Sequence, residues 1–349
     1  MKKRKILYAI QATGNGHISR AMELLPYLEQ YGEIDLFLSG ANSSLSLDAP
    51  VKYRSKGLSL FYTCSGKLDY IRMFRKFAPI RLRREVKDLP VEKYDLVIND
   101  FECITSLSCA LKKIPSINFG HQASFMSEHT PRPEKQNPVG EWLLKNYARS
   151  SKYLGLHFQP YDDFILTPVI KKEIWEALPG DQGFITVYLP SYCDVEIMKY
   201  FGPLVSYDFR VFSPQASSVI REGHITFIPV EKQAFNQCLI NCGAIICGAG
   251  FETPAEILHL KKKMIVIPIK GQYEQQCNAA ALERLGVKSL QGLTEHFPHQ
   301  FESWIQNARP VDIQFRHSTA QIIETMMNKA GKRENLDFSE MAEINESFS

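Results

Sequence analysis

The sequence predicts an α/β protein made of two doubly wound, Rossmann-like domains, and three observations lead there. Its 349 residues exceed what one hydrophobic core ordinarily serves and suit two domains of about 150 residues each. Short apolar runs alternate with helix-like stretches from end to end, as parallel strands covered on both faces require. That alternation is interrupted in HFQPYDDFILTPVIKKEIWEALPGDQG, where Pro160, Pro168, Pro179 and two glycines punctuate the chain. The boundary is placed there, giving domains 1–160 and 161–329. The last helix has the option of packing back on the first domain, and the polar, acidic residues 330–349 are expected to be a mobile tail.

The elements follow in order. Residues 5–12 read as a strand, 17–31 as a helix and 34–39 as a strand. Strands are expected at 94–100, 114–119 and 153–158, with a helix at 103–112. The second half repeats the pattern, with strands at 184–189, 224–230, 244–247 and 264–268. Helices at 231–240, 253–260 and 273–285 separate them.

Composition limits the classes. Hydrophobic residues make up 44% and charged residues 23%, as in a soluble globular chain. No apolar run reaches the ~18 residues of a spanning helix. The basic start MKKRK leads into only a short apolar segment with no cleavage site, so a cytoplasmic address is expected. None of the eight cysteines forms a Cys-x-x-Cys pair, which suits buried free thiols better than zinc ligands such as Cys238, Cys242 and Cys247 would. Charge is uneven: residues 1–150 carry 23 Lys/Arg against 15 Asp/Glu, and the rest 18 against 23. A basic half thus adjoins an acidic one.

The first strand ends in Thr13-Gly14-Asn15-Gly16, and His17 opens the next helix. Ligands of open parallel sheets gather at the carboxyl ends of strands. Glycines let the backbone turn sharply and let a ligand approach. The helix start offers unpaired N–H groups, and an imidazole there suits taking a hydroxyl proton near neutral pH. A plain strand-to-helix turn remains the alternative. A dinucleotide fingerprint is incomplete, because the third glycine is missing.

A second loop lies at 244–287. A buried strand ends at Cys247 and is followed by Gly248-Ala249-Gly250-Phe251-Glu252, then a helix with Thr253 as its expected cap and Pro254 in its first turn. Small residues leading into a helix start form a cradle for a diphosphate. Glu256, one turn in, is placed to reach a ribose diol. The strand 264–268 then delivers Glu274 and Gln275 to the start of a further helix.

These residues resemble the C-terminal signature of GT-B glycosyltransferases, in particular the murein (lipid II) N-acetylglucosaminyltransferases and related uncharacterised prokaryotic glycosyltransferase-like proteins. The family pattern Gly-x-x-Thr-x-x-Glu reads here as Gly250-Phe251-Glu252-Thr253-Pro254-Ala255-Glu256. Its Pro…Asp/Gln-Gln-x-x-Asn-Ala segment reads as Pro268 and Glu274-Gln275-Gln276-Cys277-Asn278-Ala279. The family also carries Gly-x-Gly-His at the N-terminal loop. The resemblance implies two facing Rossmann-like domains with a central cleft. By it, Phe227, Ile228 and Pro229 flank the base, and Gly250, Phe251, Glu252 and Thr253 hold the diphosphate. Glu256 holds the ribose, and Glu274 and Gln275 meet the donor sugar. Gly14, Asn15 and Gly16 shape the acceptor side, with His17 as base or as ligand of acceptor or phosphate. Three departures stand out: the glycine run before His17 is sparse, the loop Leu189-Pro190-Ser191-Tyr192 lacks glycine so that Ser191 is a weak donor contact, and Glu274 replaces Asp or Gln.

On the acceptor side, Asp100 and Glu102 end one strand while His121 and Gln122 end its neighbour, so all four are expected near His17, each with a turn or cap as its alternative. Asp100 either orients His17 or is itself the base. Residues 67–89 carry eight basic and three acidic residues around an apolar helical face broken at Pro79. An anionic membrane surface or a solvated outer face both suit that pattern.

The expected activity is inverting transfer of a hexose or N-acetylhexosamine from a UDP-linked donor to a hydroxyl acceptor, with a lipid-linked or a cell-envelope glycan as candidate acceptors. No cofactor is expected, and no metal, since Asp-x-Asp is absent. A UDP-sugar 2-epimerase and a non-catalytic sugar-nucleotide-binding protein are the alternatives. No motif supports nucleic-acid binding.

Overall fold

Two sheets of seven strands each account for the alternation in the sequence. They are seen in a computed structural model that describes residues 3–12, 14–40, 47–57 and 78–331. The first sheet comprises β1 (Lys5–Gln11), β2 (Glu33–Ser39), β3 (Val51–Ser55), β4 (Leu96–Asp100), β5 (Ser116–Gly120), β6 (Lys152–Leu156) and β7 (Ile165–Leu166). Its strands are parallel and ordered β3-β2-β1-β4-β5-β6-β7. The second comprises β8 (Phe184–Tyr188), β9 (Asp208–Ser213), β10 (Ile220–Glu222), β11 (Ile225–Pro229), β12 (Ala244–Gly248), β13 (Lys263–Ile267) and β14 (Lys288–Ser289). Its order is β10-β11-β9-β8-β12-β13-β14, with β10 antiparallel to β11 at one edge.

Among the described residues the α-helices are α1 (Asn15–Leu28), α2 (Pro79–Asp88), α3 (Cys103–Lys112), α4 (Pro138–Asn146), α5 (Lys172–Trp175) and α6 (Asp194–Phe201), followed by α7 (Lys232–Asn241), α8 (Glu252–His259), α9 (Tyr273–Arg284), α10 (Phe297–Asn307) and α11 (Thr319–Gly331). None among the described residues is long and apolar enough to cross a membrane.

β1 shows why these runs are strands covered on both faces. Ile6, Tyr8 and Ile10 enter one hydrophobic cluster and Leu7 and Ala9 another, all fully buried. The first of these clusters continues through α8, β12 and α11, so apolar packing joins the two domains.

Several elements differ from expectation. α1 starts at Asn15, two residues before His17, and ends at Leu28. α8 starts at Glu252 with Phe251 in the cap position and no side-chain cap bond, so Thr253 lies inside the helix rather than capping it. β7 pairs with β6 through Gly155 and Ile165, which carries the first sheet past residue 160 to Leu166. α11 lies against α1, β5 and β6, and Lys152 Nζ donates to Lys329 O at 3.0 Å, so this helix covers the first sheet. Of the basic segment 67–89, residues 67–77 lie outside the described residues. In α2, Val86 is buried while Arg83, Arg84 and Lys87 face solvent. The expected tail falls, from residue 332, outside the described residues as well.

Strand order reverses between β1 and β4 in the first sheet and between β8 and β12 in the second. At each reversal the loops diverge and leave a crevice at the carboxyl ends. The two crevices face each other: Asn15 Nδ2 donates to Tyr188 OH across them at 3.2 Å.

Candidate active site in the cleft

The first crevice holds a charged cluster. β1 and β4 run side by side with Ile10 opposite Asp100, so the turn after β1 and the end of β4 adjoin. A side chain at Gly14 would meet nothing within 4 Å, which leaves the turn bare toward the cleft. At Gly16 an added Cβ would come 3.1 Å from Glu252 Cγ, so glycine there lets the loops of the two domains meet.

His17, in the first turn of α1, places Nδ1 2.8 Å from Asp100 Oδ1. Asp100 is fully buried and also accepts from Arg20, at 2.6 Å on Oδ1 and 3.3 Å on Oδ2, while Tyr8 OH lies 3.5 Å from Oδ2. Burial works to raise the pKa of this carboxyl, but Arg20 and His17 together outweigh it and hold Asp100 below its ordinary value. Arg20 Nη2 lies 3.1 Å from the same Nδ1, and the ionised Asp100 favours the tautomer that carries its proton on Nδ1 and its lone pair on Nε2. Nε2 lies 3.5 Å from Gln122 Nε2.

The second domain completes the cluster. β12 ends at Gly248, and after Ala249 and Gly250 the chain enters α8 at Glu252. Arg20 donates to Glu252 Oε1 across the cleft. Burial pushes the Glu252 carboxyl up to about 7 despite Arg20. Glu274, in the first turn of α9, accepts from Gln122 Nε2 at 3.0 Å, and burial raises its pKa too. Gln275 Oε1 accepts from Ile269 N at 3.0 Å and so braces the loop between β13 and α9.

The structure therefore gathers Gly14, Asn15, Gly16, His17, Asp100 and Gln122 with Glu252 and Glu274. Gly250, Phe251 and Thr253 lie at the start of α8, and Ser191 is buried in the loop after β8. Other residues go elsewhere. Glu102 is spent as the cap of α3, accepting from Ile104 N at 2.9 Å and Thr105 N at 2.6 Å. His121 is fully buried between Leu156 O, Asn278 Oδ1 and the Phe251 ring, on which it stacks at 4.0 Å. Burial pushes it down to about 3, so it is a neutral pin between the domains. Glu256 is buried and paired with Lys171 at 3.0 Å. Phe227 sits in the core of the second sheet, while Ile228 packs on the opposite face and Pro229 ends β11 half-buried.

Sequence reasoning missed Arg20, Tyr188, Lys171 and the Asn278 contact. Arg20 had a signal: it lies three residues after His17 and so on the same helix face. Among the described residues no three potential metal ligands converge, and Cys103, Cys109, Cys238, Cys242, Cys247 and Cys277 are buried free thiols.

Comparison with known proteins adds the following. The profile of glycosyl transferase family 1 matches residues 4–307. No curated protein matches the chain. Among solved structures, the glycotransferase of kitacinnamycin is similar, with a TM-score of 0.55 and 15% identity over 87% of this chain and 90% of its own. UGT89C1 of Arabidopsis thaliana, complexed with UDP-L-rhamnose, gives a TM-score of 0.55 at 13% identity over 98% of each chain. UGT2 of Phytolacca americana, complexed with UDP-2fluoro-glucose and pterostilbene, gives 0.53 at 12% identity over 100% of each. At such identities the likeness shows the fold alone, which is GT-B.

Proposed function

The chain belongs to glycosyl transferase family 1, and from that premise we propose that it moves a hexose or N-acetylhexosamine from a UDP-linked donor to a hydroxyl acceptor, with inversion. One observation carries the reading: His17 Nδ1 lies 2.8 Å from the buried carboxylate of Asp100, so that Nε2 is left as a base at the cleft.

The acceptor hydroxyl gives its proton to Nε2 as its oxygen forms a bond to the anomeric carbon. The bond from that carbon to the diphosphate oxygen breaks on the opposite side, which inverts the centre. Asp100 orients the imidazole and stabilises the imidazolium. The diphosphate leaves against backbone N–H groups of Gly250, Phe251, Glu252 and Thr253 at the start of α8. Glu274 meets the donor sugar, with Gln275 bracing its loop, while Ile228 and Pro229 edge the base and Ser191 lies at the neighbouring strand end. Glu256 reaches the ribose only by leaving Lys171. No step calls for a cofactor, and none is assigned to a metal.

The two plant proteins solved with UDP-sugars support a UDP-linked donor. The acceptor is assigned to residues 1–160 and the nucleotide to residues 161–329. A lipid-linked acceptor at an anionic membrane surface, on the cytoplasmic side, suits the exposed Arg83, Arg84 and Lys87 of α2. It also suits α4, which exposes Val139, Trp142 and Leu143 while packing on α9.

The test is incubation with a panel of UDP-sugars, alone and with a membrane lipid extract. Release of UDP only with extract supports transfer. A changed sugar without acceptor marks an epimerase, which Asp100, Glu252 and Glu274 in one cleft would also suit. Binding without turnover marks a non-catalytic protein. His17→Ala should lower kcat by about 10²- to 10⁴-fold, and full turnover in that variant would remove His17 from the mechanism.

A further inference from the structure

We propose that Glu252 holds the place of the donor's diphosphate, and that Arg20 exchanges this carboxylate for the diphosphate when the donor binds. The inference rests on the reading of the cleft as a nucleotide-sugar site.

Arg20 is the cation at the centre of the cluster, with its side chain 2% exposed. It faces two carboxylates, Asp100 from its own domain and Glu252 from the other. Asp100 alone balances its charge, so Glu252 is a surplus anion. The groups acting on Glu252 are Arg20 and His17 of α1, Asp100 of β4, Tyr8 of β1 and Glu256 of its own helix, and Glu274 shares the cluster from α9. Arg20 is the fixed cation among them. Glu252 is the first residue of α8, so its carboxylate ties a buried guanidinium to the end of the helix that offers free N–H groups. Those are the two features that would stabilise a diphosphate.

The surroundings are arranged for a ligand rather than for a permanent bridge. A Cβ at Gly250 would meet nothing within 4 Å, so space lies open beside the loop. On the other side of the cluster, Gln122 is 5% exposed and its Oε1 is buried without a hydrogen-bond partner. Such an orphaned acceptor awaits a donor group, as a sugar hydroxyl would supply. Gly16 lets the Glu252 side chain lie close against α1, where an added Cβ would come 3.1 Å from its Cγ.

An entering diphosphate brings like charge to Glu252. Burial has already raised that carboxyl to about 7. Further negative charge, and the loss of Arg20, raise it more, so Glu252 takes up a proton as the diphosphate binds. Binding therefore weakens as pH rises above 7, where that proton must be drawn from solution.

The experiment is calorimetric titration with UDP in buffers of different ionisation enthalpy between about pH 6 and 9. Wild type should take up about one proton per UDP above neutrality, with affinity falling up to about tenfold per pH unit more steeply than in Glu252→Gln. Glu252→Gln should show no such uptake and bind about tenfold tighter at the alkaline end. Glu252→Asp, which keeps the charge on a shorter arm, should retain the uptake. Arg20→Gln should weaken UDP binding by about tenfold or more at constant circular dichroism. Proton uptake equal in wild type and Glu252→Gln, or absent from both while UDP still binds, overturns the exchange and leaves the cleft assignment standing. Absence of UDP binding by wild type overturns both.

Discussion

Two side chains bind Asp100 from above its strand, and a third lies within 3.5 Å, so a substitution there tests charge and orientation at once. Asp100→Asn keeps the shape but loses the anion that fixes the proton on His17 Nδ1. We expect kcat to fall by about 10³- to 10⁴-fold with little change in donor KM. The same variant leaves Arg20, a buried cation, still balanced by Glu252 but without its charged hydrogen bonds to Asp100, and should cost about 1.5–3 kcal/mol of stability. His17→Ala separates the two effects, since it should lower kcat while leaving the melting temperature of Asp100→Asn well below its own. Steady-state kinetics beside thermal melts check both, and a stable but inactive Asp100→Asn would show that Arg20 does not depend on it. His17 and Asp100 were legible because strand ends at a reversal of sheet order place them in one crevice whatever the details. Glu102 takes the cap that stood as its alternative, and His121 is buried between Leu156 O, Asn278 and Phe251. A polar side chain just past a strand can turn to a ligand or to nearby main chain, and for Glu102 the free N–H groups of α3 were nearer.

Glu102 makes its contribution at the scale of α3. Both its oxygens accept from the first turn, and Asn99 Oδ1 accepts from its own N–H at 2.7 Å. Glu102→Ala should therefore lower stability by about 1–2 kcal/mol in urea unfolding while turnover per folded molecule stays near wild type. A loss of turnover without loss of stability would return Glu102 to the acceptor site. α4 and α9 meet on a different device. A Cβ at Gly140 would fall on the Tyr273 ring, whose OH donates to Glu141 at 2.7 Å, so the glycine sets how closely the domains approach. Gly140→Ala should cost about 1–3 kcal/mol by overpacking and weaken UDP binding as α9 shifts, both measurable by melts and titration. Long buried runs such as β1 and β12 could be read from sequence because burial on both faces leaves a continuous apolar signature. β3, β9 and β14 could not, since they are short or carry partly exposed polar residues, and so lack a continuous apolar run. α4 did carry a start signal, Asn137 as cap and Pro138 in its first turn, which the Pro-rich loop before it obscured.

Across the whole molecule the domains are held by contacts that respond to pH in opposite senses. His121 joins Asn278 and Phe251, and Arg20 joins Glu252, while Gln122 reaches Glu274. His121 is pushed by burial from 6.5 to about 3, so its contribution is present above 6.5 and is lost as pH falls toward 3. Glu252 is pushed by burial from 4.5 to about 7, so its contribution is present below 4.5 and is lost as pH rises through 7. The shift of Glu274 has the same sign. The Glu252 loss, on the order of 3 kcal/mol, accrues between pH 4.5 and 7 and is complete just above neutrality, while His121 works the other way up to 6.5. Stability should thus be greatest in the mildly acid range and fall to a lower plateau near neutrality. Thermal melts of wild type and Glu252→Gln across about pH 5 to 9 read this directly. The variant should lose most of the fall toward neutrality while keeping the acid limb, because His121 is untouched. UDP should restore wild-type stability more at low than at high pH, since its binding draws a proton onto Glu252. Parallel curves for the two proteins would mean that Glu252 stays ionised between the domains, and the acid limb would then belong to His121 alone.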